Sequence, residues 1–155
     1  MSKISNITYD EITIGQTASY SKRVEERDIQ LFAVASGDAN PVHLDTAYAA
    51  GTPFGERIAH GMLTGAIISA ALAMTLPGPG TIYLGQSLRF RLPVKIGDTV
   101  AVSLTVTGKG DKRQQVTIEC EARYQHDRVV ASGTAEVMAP TEKLVVERPI
   151  LPRFD

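Results

Sequence analysis

The chain has 155 residues and a formal net charge of -1, from sixteen Lys and Arg against seventeen Asp and Glu. That length suits one domain, and the charge balance offers no basic field for a nucleic-acid backbone or an anionic membrane, so neither is expected as a partner. The lone cysteine, Cys120, excludes an internal disulfide and a cysteine-built zinc cage, and it fits a reducing compartment.

In chain order, the start MSKISNITYDEITIG holds no apolar run long enough for a signal peptide. Nothing later approaches the roughly 20 apolar residues of a membrane span, so a soluble cytoplasmic protein is expected. Within residues 4–23, the weak periodicity of Ile12, Ile14, Gly15, Ala18 and Tyr20 predicts a strand or two. Glu25 to Ser36 carries Ile29, Phe32 and Ala33 at helical spacing, with acids in the first turn and Gly37 at its exit. The next stretch, SGDANPVHLD over residues 36–45, reads as too turn-rich for regular structure, although Asp45 can cap a short turn through Ala50 that Gly51 closes.

Residues 61–76, GMLTGAIISAALAMTL, are apolar nearly all round, which predicts a helix enclosed by the rest of the protein and stopped by Pro77-Gly78-Pro79-Gly80. Strict alternation follows: Ile82, Leu84, Gln86, Leu88, Phe90 and Leu92 share one parity. The pattern repeats over Val100 to Val106, Val116 to Tyr124 and Val129 to Val137, after short turns. Four successive strands predict an antiparallel meander, and the only apolar surface able to enclose the helix is one face of that sheet. The expectation is an α+β fold, a curled antiparallel sheet wrapped on a long central helix, within a single domain over residues 1–155 with its core at about 10–138. The tail over residues 139–155, with three prolines, reads as extended and packed on the surface or leading elsewhere.

The run FAVASGDANPVHLD, residues 32–45, closely resembles the signature of the MaoC-like (R)-specific enoyl-CoA hydratases, an aromatic residue leading into S-G-D-x-N-P-x-H-x-D. The resemblance continues through Ile58-Ala59-His60-Gly61-Met62 and the strand Tyr83 to Phe90, and covers about residues 10–138 in order. It implies the hot-dog fold, usually dimeric, and hydration of trans-2-enoyl-CoA to (R)-3-hydroxyacyl-CoA with no cofactor. It also implies that Asp38 and His43 form the catalytic dyad, that Asn40 supports them through hydrogen bonds, that the Gly61 amide binds the thioester oxygen, and that Ser69 faces the acyl chain.

The residues support such chemistry in their own right. Adding water across an α,β-unsaturated thioester needs a base for the water, an acid for C2 and donors for the enolate-like oxygen. Asp38 and His43 supply the first two, on a loop that Pro41 stiffens. Gly61 supplies the third, at a helix start where free N–H groups and the positive dipole end meet whatever approaches. Each residue also has a plainer reading. Asp38 caps a turn, His43 is an ordinary satisfied histidine, His60 serves position or hydrogen bonding, and Ser69 is a small residue in a crowded helix. A metal held by Asp38, His43 and His60 finds no second carboxylate to complete a pattern, so no metal is expected. Arg89, Arg91, Lys95 and Arg113 are candidates for the coenzyme A phosphates, although exposed strand positions are commonly charged.

Two other functions compete. A hot-dog thioesterase would want an acid on or near the central helix, and residues 61–76 contain no Asp or Glu. A non-catalytic acyl-CoA binding module would need an appended partner-binding unit. Acyl-chain length depends on the packing of Ser69, Leu72 and Val137. A sheet on one helix leaves an open edge and an uncovered cleft, which predicts a homodimer with the acyl tunnel along the interface.

Overall fold

The structure, a computed structural model, describes residues 2–154. In chain order, β1 (Lys3–Ser5) and β2 (Thr17–Arg23) precede α1 (Glu26–Ser36), the single-turn α2 (Pro41–Leu44), α3 (Thr46–Ala50) and α4 (Gly61–Met74). Then come β3 (Ile82–Gln86), β4 (Arg89–Phe90), β5 (Thr99–Lys109), β6 (Gln115–Arg123), β7 (Val129–Met138) and β8 (Val145–Glu147). Among the described residues, no helix is long and apolar enough to cross a membrane.

Alternation decides which face of the sheet is buried. Val100, Val102, Leu104 and Val106 on β5, Val116, Ile118, Cys120 and Ala122 on β6, and Ala131, Ala135 and Val137 on β7 are all at 2% exposure or less. Residues of this parity meet Leu63, Ile67, Ile68, Ala71 and Leu72 of α4 in one core, and full burial of each Val, Leu or Ile is worth about 1.5–3 kcal/mol. The sheet therefore wraps on a helix lying against β2, β5 and β6, the hot-dog arrangement that the resemblance implies.

The meander is shorter than the alternation suggests. β5, β6 and β7 follow one another as antiparallel neighbours, but the strand expected over residues 82–92 does not join β5. It crosses to the far edge and pairs with β7, giving the order β2-β5-β6-β7-β3 with β4 also on β7. Nor is it continuous: a register shift between Tyr83 and Gly85 and a break after Gln86 divide it. At the break the Ser87 carbonyl oxygen lies 1.8 Å from where a Cβ on Gly133 would stand, so main chain runs directly over the glycine. The expected half-buried parity is covered only in part: Leu88 and Leu92 pack against the core, whereas Ile82, Leu84 and Phe90 are 53%, 44% and 48% exposed.

The same side leaves α4 unfinished. Met62 is 57% exposed and Ala66 and Ala73 are exposed, so the helix is not enclosed all round within one chain, contrary to expectation. Residues 36–45 depart from expectation too, since Asn40 caps α2 by accepting from the Val42 amide and Pro41 takes the first helical position. The tail is extended, and β8 pairs antiparallel with β1 as a separate two-stranded sheet. Buried Asn6 fastens it, donating to the Glu142 carbonyl at 2.8 Å and accepting from the Leu144 amide at 3.0 Å.

Replacement of Gly133 by Ala drives a methyl group into the Ser87 main chain, which cannot yield without detaching β3 and β4 from β7. The expected loss is about 1–3 kcal/mol or more, read as a lower denaturant midpoint. A midpoint equal to that of the unsubstituted protein would show that the break between β3 and β4 is loosely held.

Candidate active site

α1 directs the chain into the site. The Glu25 amide donates to Asp28 in a capping box at its start, and Gly37, at φ 81°, ends it in the left-handed conformation that glycine adopts without strain. Beyond that turn a relay of side chains pins the backbone. The Asp38 amide donates to Ser36 Oγ at 3.1 Å, the Asn40 amide to Asp38 Oδ1 at 3.1 Å, and the Val42 amide to Asn40 Oδ1 at 3.3 Å. Asp38 and Asn40 are thus held by the turn-forming bonds that the plainer reading foresaw, and both remain exposed.

His43, on α2, is buried at 8% exposure. Its Nδ1 lies 2.8 Å from the Ile58 carbonyl oxygen, and since a carbonyl only accepts, Nδ1 carries the hydrogen and Nε2 of the neutral ring keeps its lone pair. Arg57, which the sequence did not single out, closes the loop from the other side. Its Nε donates to the His43 carbonyl at 2.7 Å while its guanidinium pairs with Glu26 of α1 at 2.8 Å. His60 completes the cluster: its ring stacks on His43 at a centroid distance of 3.8 Å, and its Nε2–H donates to the Asp38 main-chain carbonyl at 3.0 Å.

A carboxylate oxygen of Asp38 and one nitrogen from each of His43 and His60 lie within 4.8 Å of one another. The two rings are only 26° from parallel, however, and a metal sits in the plane of an imidazole. Stacking sets the two donors side by side rather than converging on an ion at the roughly 2.0–2.1 Å of a zinc–nitrogen bond. The cluster suits proton transfer and water binding better than metal ligation.

Gly61 is the first residue of α4, so its N–H lies in the turn that has no intrahelical acceptor. It lines a cavity of about 340 Å³ together with Phe54, Ile58, His60, Thr64 and Phe90, and a Cβ at Gly61 would come within 3.3 Å of the Phe90 ring. Ser69 lies elsewhere. It lines a second cavity of about 440 Å³ with Phe32, Met62, Tyr83, Leu84 and Leu88. His60 belongs to the first cavity, and Phe32, its ring neighbour at 4.8 Å, belongs to the second, so the Asp38–His43 cluster stands beside both.

The residues expected to set pocket depth behave otherwise, because Leu72 and Val137 are buried in the core and line neither cavity. Of the four cations considered for phosphates, Arg91 alone lines either of these cavities, with its Nε donating to Ser132 Oγ at 3.3 Å; Lys95 is paired with Glu56. Two other titratable groups are set aside by their surroundings. Burial pushes the Cys120 thiol up to about 11 and the Tyr83 hydroxyl, which donates to Gln86, up to about 12. Neither is a nucleophile or base near neutrality.

Residues 10–129 match the model of the MaoC like domain. An (R)-specific enoyl-CoA hydratase of Rhodospirillum rubrum is 48% identical over 85% of this chain and 91% of its own length. A 3-hydroxybutyryl-CoA dehydratase of Methylorubrum extorquens is 41% identical over 87% and 85%. Among solved structures, the unliganded R-hydratase PhaJ1 from Pseudomonas aeruginosa is 56% identical and covers 99% of both chains with a TM-score of 0.95. With its signature loop, its helix start at Gly61 and its wrapped sheet, the chain belongs to the MaoC-like family.

Proposed function

We propose that this protein is an (R)-specific enoyl-CoA hydratase, adding water reversibly to trans-2-enoyl-CoA to give (R)-3-hydroxyacyl-CoA, with Asp38 and His43 as its acid–base pair. The observation that carries the assignment of residues is the meeting of Asp38, His43 and the start of α4 in one cluster. The identity to hydratases and a dehydratase over most of the chain supports the reaction class. Residues 10–138 form the core of a single domain in this reading, and a cytoplasmic location suits both the substrate class and the lone reduced cysteine.

In hydration the water oxygen bonds to C3, the π electrons move through C2 toward the thioester oxygen, and C2 gains a hydrogen. One member of the pair takes the water proton and the other gives a proton to C2; exchange between them or with solvent restores the starting state. The Nδ1–H bond to Ile58 supports this role for His43 because it directs Nε2 toward the chemistry. Developing charge on the thioester oxygen would be met by the Gly61 amide and the helix dipole, aimed before the reaction begins. An acyl chain running from Gly61 past the dyad would enter the cavity lined by Ser69.

That cavity has no outer wall in one chain, with Met62, Tyr83 and Leu84 exposed by 57%, 40% and 44%. A second copy of the chain is the proposed cover, consistent with the open edge at β3.

Asp38→Asn is expected to fold normally and lose about 10²-fold or more in crotonyl-CoA hydration, the usual worth of a placed proton-transfer group. Near-normal turnover would remove Asp38 from the mechanism. His43→Gln should fall similarly, and the double variant should be no slower than the poorer single one, because groups acting on one water are not additive. Losses that add in log rate would assign them to separate steps. Prolonged EDTA treatment should leave the rate unchanged, whereas a loss restored by zinc would reinstate metal chemistry. Sedimentation at micromolar concentration should give a dimer; a fully active monomer would disprove the shared cavity.

A further inference from the structure

We infer that His60 is a positioning residue of this reaction, its Nε2–H locking the dyad loop to the start of α4 while its ring holds His43 in place. The inference rests on the hydratase reading for its kinetic meaning, but the contacts themselves do not.

Three observations carry it. His60 occupies the N-cap of α4, a place where Ser, Thr, Asp or Asn normally accepts from the helix's own amides, and it makes no such bond. Its side chain turns instead to a carbonyl 22 residues earlier, on the Asp38 main chain. Second, the ring lies between two others, stacked on His43 of α2 at 3.8 Å and tilted by 52° against Phe32 of α1 at 4.8 Å, so it touches both helices that flank the loop. Third, His60 is 3% exposed, and its buried Nδ1 has no hydrogen-bond partner among the described residues. An orphaned buried nitrogen costs about 1–3 kcal/mol, a penalty that an apolar ring of the same size would avoid. What such a ring could not do is donate to the Asp38 carbonyl.

Gly61 is the next residue, so the bond fixes the distance between the acid–base loop and the proposed oxyanion donor. Misplacement by about 1 Å between groups that act together can lower a rate about 10²-fold. His60 thus acts through Asp38, His43 and Gly61, with no required contact to substrate. It also links the two cavities, since its ring faces one and Phe32 faces the other.

Three variants separate the donor from the ring. His60→Gln keeps an N–H near Nε2, His60→Phe keeps a flat ring, and His60→Ala keeps neither. Crotonyl-CoA hydration is expected to lose about 10²-fold in kcat in the Phe and Ala variants with KM changed by less than about threefold, and Gln should recover to within about tenfold of the parent. A Phe variant within about threefold of the parent kcat, or a Gln variant no better than Ala, would overturn the inference. Should the Ala and Phe proteins fail to fold, histidine ¹⁵N spectra of the unsubstituted protein still decide. They should show His60 protonated at Nε2 and bare at Nδ1, and the opposite tautomer would refute the bond. An unsubstituted protein inactive on enoyl-CoA would instead defeat the hydratase reading, leaving the spectral result to stand by itself.

Discussion

Burying a fourteen-residue helix that bears no charged side chain is the constraint on which the rest of this structure depends. Such a helix needs apolar cover, so β5 and β6 devote one whole parity to it and β2 packs alongside. The helix must still start somewhere, and its first N–H groups, with no acceptor of their own, cannot be sealed in the core without a large penalty. The fold brings the start out beneath a loop of polar residues. The same burial that stabilises the core therefore creates a polar opening at one end of it, and Asp38, His43 and His60 collect there.

The long elements were legible for two different reasons: an unbroken apolar run from Gly61 to Leu76, stopped by Pro77-Gly78, marked the helix, and the alternation of Val100 to Val106 marked a strand whose every second residue is buried. Legibility failed where tertiary pairing overrides local pattern. Residues 82–92 alternate as clearly as β5 does, yet alternation says nothing about which strand they join, and Gly133 carries no mark of the carbonyl passing over it. Met62 and Leu84 look like core residues in sequence and are open in one chain, since hydropathy cannot distinguish an interior from an interface.

The site was legible in part. Asp38, Asn40 and His43 stand within six residues of sequence, and their hydrogen bonds are local, so turn chemistry and the signature both point to them. Arg57 and Phe90 were missed because their roles arise from contacts to His43 and Gly61 that span 14 residues or more. Ser69 and Gly61 share one helix and still line different cavities, because the eight-residue step from one to the other carries the helix about 12 Å along its axis.

Exposure divides the cluster in a way that fits its work. Asp38 is open to solvent, where water can reach its carboxylate, whereas His43 and His60 are buried and each has one ring nitrogen committed to a main-chain carbonyl. A buried imidazole free to flip could present either nitrogen; one bonded to a carbonyl presents a single choice. The bonds to Ile58 and Asp38 thus convert two adaptable side chains into fixed ones. They also run in opposite directions through the chain, from the loop to the segment before α4 and from the start of α4 back to the loop. Two such ties crossing between the same pair of segments resist both sliding and rotation, which one alone would not. Among the described residues the Nδ1 of His60 is left without a partner, a cost of about 1–3 kcal/mol that accompanies the fixing of the loop over Gly61 by Nε2.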